Sequence, residues 1–102
     1  MNKRNNAKIA KWLGHEVDGI HAKHPEFGWY EIPDYDRAEY AITLLPVLVA
    51  KGYSYQLIYI SGENVFMIYA PGTESNPIAI QRSETIASAI RGALMKLIEH
   101  IL

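Results

Sequence analysis

Five side chains able to hold a divalent cation fall within ten residues of one another: His15, Glu16, Asp18, His21 and His24. Imidazole nitrogen and carboxylate oxygen are the donors that zinc and other first-row metals accept. Their spacing follows no recurring ligand pattern, and the plainer expectation is a solvated loop whose histidines are incidental. His15, His21 and His24 are the candidates for a metal, and no metal or other cofactor is assigned.

Other chemistry is weaker still. Ser54, Ser61, Ser75 and Ser83 with the four histidines permit many nominal dyads, but no G-x-S-x-G elbow accompanies them. Asp34, Asp36 and Glu39 are close enough for an acidic pair of the kind that splits two carboxylate pKa values, yet helix capping explains the same residues. The glycines are scattered singly, with no phosphate-cradling loop, and the absence of cysteine removes disulfides, thiolate metal sites and a thiol nucleophile. The expectation is a protein that is not an enzyme.

Aromatic side chains offer more. Tyr55 and Tyr59, with Phe66 nearby and Trp29 or Tyr30 folding over them, would make a groove with an apolar floor and hydroxyl handles. The competing expectation is core packing under a helix, because strands favour aromatics for packing alone.

These residues must be positioned by one modest core, since 102 residues bury roughly two thirds of their unfolded surface. An apolar content of 49% with 21% charged residues is that of a globular chain. A net charge of −1 provides no broad attraction for phosphate backbones and disfavours nucleic acid. The basic start MNKRNNAKIAKWLG lacks the apolar run of a secretory signal, and the apolar stretch Ala41 to Ala50 is far below the ~20 residues that cross a bilayer. The expected setting is the cytoplasm, without a membrane.

The chain is predicted as one α+β domain over 1–102: an N-terminal helix and irregular wrap (1–35), then a helix-β-β-β-helix body (36–102). In the first part Asn5 or Asn6 caps a short helix anchored by Trp12 and stopped by Gly14. From His15 to Tyr35 periodicity is lost, and Phe27, Trp29 and Tyr30 suggest an ordered wrap over the body. Asp36 and Glu39 have capping-box spacing for a second helix that ends at Gly52, with a kink near Ile42 imposed by Pro46. After two strands, the turn formers from Pro71 to Pro77 lead into a third strand, Ile78 to Gln81. Ser83 then caps a last helix, whose stripe of Ile86, Ile90, Ala93, Leu94, Leu97, Ile98 and Ile101 opposes Ser88, Arg91, Met95, Lys96 and Glu99.

Between the helices, YSYQLIYISGENVFMIYA reads as a hairpin. Gly62-Glu63 as a type II′ loop pairs Ile60 with Val65, Tyr59 with Phe66, Ile58 with Met67 and Leu57 with Ile68. One face then carries Tyr55, Leu57, Tyr59, Phe66 and Ile68, the other Ile58, Ile60, Val65, Met67 and Tyr69. Neither is polar, so both require a cover.

The segments GWYEIP and PDYDRAEYAITLLPVLVAKGY, the tyrosine-rich strand pair and the closing SETIASAI together resemble the phage ABA sandwich family, over Ile9 to Ile101. The resemblance implies a small phage or prophage protein with a sheet sandwiched by helices. It transfers no activity and no functional residues. The helix, three strands and helix also match the order of a double-stranded RNA-binding domain, but Ser83-Glu84-Thr85-Ile86 stands where that reading needs positive charge.

The expected function is therefore a non-enzymatic phage or prophage accessory protein in the host cytoplasm. It would act by binding a host or phage protein or by forming a homodimer or larger oligomer, because a large uncovered apolar patch marks an interface. The alternative is a module that binds or sequesters a nucleotide or metabolite through Trp29, Tyr30, Tyr55, Tyr59 and Phe66.

Overall fold

The computed structural model describes residues 3–72 and 75–101 and is α+β, with two three-stranded antiparallel sheets. The chain divides into two compact units, Met1–Asp34 and Tyr35–Leu102.

In the first unit, α1 (Lys3–Trp12) is followed by β1 (Glu16–Asp18), β2 (His21–His24) and β3 (Gly28–Glu31), paired in the order β1-β2-β3. Asn5 and Asn6 lie inside α1 rather than at its cap, and Ile9 and Ala10 are fully buried whereas Trp12 is only partly so. The helix stops as expected at Gly14, with φ 93°. The His15 N–H donates to the Ala10 carbonyl at 3.1 Å and the Gly14 N–H to that of Lys11 at 2.9 Å, which is the Schellman arrangement.

The irregular wrap expected over 15–35 is corrected to this small sheet. Val17, Ala22 and Tyr30 are register partners on one face, and Glu16, Lys23 and Trp29 on the other. The alternation is hidden in sequence because the strands are three or four residues long and, Val17 apart, the inward positions hold alanine, histidine and tyrosine rather than β-branched residues. Gly19 (φ 62°) holds the first turn and Gly28 (φ 86°) closes the second, after Pro25, Glu26 and Phe27.

The second unit contains α2 (Ala38–Ala41), α3 (Leu44–Ala50), β4 (Ser54–Ile60), β5 (Glu63–Tyr69), β6 (Ala79–Ser83) and α4 (Ile86–Ile101). The single kinked helix expected after Asp36 is two short ones. Pro46 sits in the first turn of α3, where no amide donor is needed, and its ring excludes a continuous ladder through Ile42. The N-cap of α2 is Arg37 without a side-chain cap bond, so the expected Asp36–Glu39 capping box is not formed. Gly52 ends α3 with Tyr53 N–H on the Leu48 carbonyl at 3.2 Å. Within the turn before β6, Thr73 and Glu74 lie outside the described residues.

The hairpin loop is Ser61-Gly62, with φ 53° and 82°, the sign pattern of a type I′ turn rather than the expected II′. Pairing is accordingly Ile60 with Glu63, Ile58 with Val65, Leu57 with Phe66 and Tyr55 with Ile68. The shift from the expected register is two residues, so every side chain keeps its expected face. Helix α4 packs on β5 and β6, over the face bearing Phe66, Ile68 and Ala79, all buried. Its N-cap is Thr85, whose Oγ1 accepts the Ser88 N–H at 3.1 Å, two residues beyond the expected Ser83. The polar side expected for α4 is interrupted by buried Met95 and by Arg91, whose Nε pairs with Asp36. Ile86 and Ile101, assigned to the apolar stripe, are exposed at its ends.

Candidate functional site

The histidine cluster is partly assembled. In the first unit, His15 and His24 lie with ring centroids 5.0 Å apart, and His15 meets Tyr30 edge-on at 5.5 Å. The Tyr30 hydroxyl is hydrogen-bonded to His15 Nδ1. His24 Nδ1 accepts the main-chain N–H groups of Glu26 at 3.0 Å and Phe27 at 3.2 Å, closing the Pro25 turn much as an Asx side chain does. The Nδ1 atom of each of these two histidines is thus engaged within the protein. His21, paired across β2–β3 with Glu31, is exposed. Among the described residues no three His, Cys, Asp or Glu side chains gather to hold a metal ion.

Burial, and next the neighbouring His24, lower the pKa of His15 below its ordinary value; burial raises that of Tyr30. The pair is a neutral, part-buried hydrogen bond. Of the acidic residues, Glu39 pairs with Arg37 at 3.2 Å and Asp36 with Arg91, so these two carboxylates face guanidinium groups rather than each other.

The aromatic set divides by strand alternation. Trp29 and Tyr30 are consecutive in β3 and point to opposite faces: Trp29 is half exposed, and Tyr30 turns inward to His15. In the second unit Tyr55 stacks on Phe66 with centroids 5.4 Å apart. Phe66 is fully buried and serves as floor, while Tyr59 is 70% exposed. The expectation that both tyrosines are core under a helix is corrected, since α4 reaches β5 and β6 and leaves β4 substantially open.

Tyr55, Leu57, Tyr59 and Ile60 of β4 are all exposed, as is Ile80 of β6. The strand Ser54–Ile60 contains no charged residue and no proline. At its start an open pocket of ≈ 350 Å³ is lined by Ser54, Tyr55, Gln56 and Tyr69, where the Tyr69 hydroxyl donates to Gln56 Oε1 at 3.2 Å. An apolar, uncharged edge strand can associate with another polypeptide, and the pocket can take a small polar group. The sequence carried the strand's composition, but which of its aromatics would be covered depended on where α4 lands. Among the described residues no helix is long and apolar enough to cross a membrane. No protein-family model, curated protein or solved structure matches the chain.

Proposed function

We propose that this protein is a non-enzymatic module that acts by binding polypeptide, itself included, through the β4 side of its second unit. The observation that carries this reading is the exposure of Tyr55, Leu57 and Tyr59 along one face of an uncharged strand. Exposed apolar residues are common singly, but a row of three on one face of a strand is a surface suited to a partner. The resemblance to the phage ABA sandwich family adds a phage or prophage accessory role in the host cytoplasm to the proposal. Light scattering after size exclusion, over a rising concentration series, tests the association: a mass above the 11.5 kDa of one chain is expected. A strict monomer throughout would overturn self-association as its expression.

A second reading rests on the pocket at Ser54, Tyr55, Gln56 and Tyr69, whose hydroxyl and amide groups would orient a nucleotide or metabolite. A panel of such compounds in a thermal-shift assay tests it, because a ligand at 100 times its Kd stabilises by about 2.7 kcal/mol. No shift from any compound counts against this reading.

A further inference from the structure

The two edges of the second sheet are treated differently. The Ile78 N–H donates to the Ile68 carbonyl at 2.8 Å, so the main-chain groups of Ile68 point toward β6. Main-chain direction alternates along an antiparallel strand. Residues 64, 66 and 68 therefore bond β6, and residues 63, 65, 67 and 69 bond β4. Through the register, Ile60, Ile58, Gln56 and Ser54 are the β4 residues bonded to β5. The same alternation leaves Ile80 and Arg82 pointing outward from β6, and Tyr55, Leu57 and Tyr59 outward from β4.

The outward carbonyls of β6 are both occupied. Lys96 Nζ donates to the Ile80 carbonyl at 2.7 Å and Gln81 Nε2 to that of Arg82 at 2.8 Å. Pro77 precedes the strand, and Arg82 puts a charge on it. These are the devices by which sheet edges are closed to further pairing. On β4, among the described residues, no side chain bonds the outward carbonyls of Tyr55, Leu57 or Tyr59.

We infer that β4 is the edge kept open, and that its occupant is β4 of a second copy, antiparallel about a two-fold axis at Leu57. The outward residues are symmetric about that point. Leu57 would exchange both main-chain bonds with Leu57 of the partner subunit, and Tyr55 likewise with Tyr59 of the partner subunit. The pairing aligns with bond-forming positions only, meets no like charge, and sets tyrosine beside tyrosine, a favourable cross-strand pair. A foreign segment would match the bonds, but the palindromic Tyr-x-Leu-x-Tyr pattern in an uncharged strand lets a second copy match the bonds and the side chains together. The result is one continuous sheet through both second units.

The inference rests on the association proposed above and deepens it by naming the partner and the mode. Its test combines light scattering with amide exchange. The wild-type chain is expected at twice 11.5 kDa, with the amides of Tyr55, Leu57 and Tyr59 exchanging more slowly as concentration rises. Leu57→Pro removes an outward N–H and no β4–β5 bond, and should return the chain to a folded monomer. Tyr59→Lys, at an exposed position, should do the same and decides the matter together with exchange if the proline variant fails to fold. Ile60→Lys, on the opposite face, should leave the dimer intact. A dimer that survives Tyr59→Lys but dissociates with Ile60→Lys, or whose outward amides ignore concentration, overturns edge pairing and leaves association standing. A wild-type monomer at every concentration overturns edge pairing and self-association alike, whereas a foreign polypeptide bound on β4 in place of a second copy overturns the inference alone.

Discussion

Lys96 Nζ donates to the Ile80 carbonyl at 2.7 Å, so a helix side chain fills the position that a further strand would take on β6. Lys96→Met keeps the aliphatic stem and removes the donor, which leaves that carbonyl open beside an already open β4. The sheet then has two edges able to pair, so dimers joined at β4 can add to one another through β6 and the assembly no longer closes. Light scattering should show species larger than the wild type, increasing with concentration. Identical mass distributions for the two chains would show that Lys96 does not guard the edge.

The His15–Tyr30 pair makes the first unit sensitive to acid. The folded pKa of His15 is lowered, by burial first and by His24 second, from an ordinary value of 6.5. Between the lowered value and 6.5 the unfolded chain binds more protons than the folded one, so stability rises with pH across that window. The contribution is complete above the ordinary value and is lost as pH falls below it. Thermal unfolding from about pH 5 to about pH 7 should therefore slope upward in the wild type and less steeply in His15→Gln. Equal slopes would remove His15 as the cause.

Ser61 occupies the left-handed region at φ 53°, beside Gly62 at 82°. An L residue there costs about 1–2 kcal/mol, and asparagine tolerates it better than serine. Ser61→Asn should stabilise the second unit by up to about 1 kcal/mol, and Ser61→Val should destabilise it, since a β-branched side chain fits this region poorly. Denaturant midpoints with unchanged slopes measure both. A valine variant as stable as the wild type would contradict the turn assignment.

This turn also marks what could be read from residues alone. Gly62 announced a hairpin, but a two-residue loop placed one position earlier satisfies the same glycine, and only the φ of Ser61 separates the alternatives. Because the resulting shift is even, the faces survived the error. The helix stops at Gly14 and Gly52 were legible because each depends on local backbone geometry, whereas Pro46 suggested a kink in one helix and the chain breaks there into two. The first sheet was not legible: its inward positions are Val17, Ala22, His24 and Tyr30, and its outward ones include Trp29, so hydropathy does not alternate with burial. The candidate surface was half legible. Tyr55 and Tyr59 could be placed on one face with Phe66, but their exposure depends on α4 lying over β5 and β6, a long-range relation that composition does not encode.

Gly92 is where α4 approaches that sheet. A Cβ there would lie 2.5 Å from Gln81 Cγ and 2.9 Å from its Cδ. Alanine is favoured over glycine in a helix interior by about 1 kcal/mol, whereas overpacking costs about 1–3 kcal/mol. The nearest atom is mid-chain rather than a free tip, and the Gln81 amide is held on the Arg82 carbonyl, so the side chain cannot simply swing aside. Gly92→Ala should therefore be net destabilising in the wild-type background. In a Gln81→Ala background the clash disappears and only the helix preference remains, so the same substitution should become stabilising by up to about 1 kcal/mol. Chemical denaturation of the four chains in this cycle reads the sign directly. Gly92→Ala having one sign in both backgrounds would mean that the glycine is kept for a reason other than its contact with Gln81.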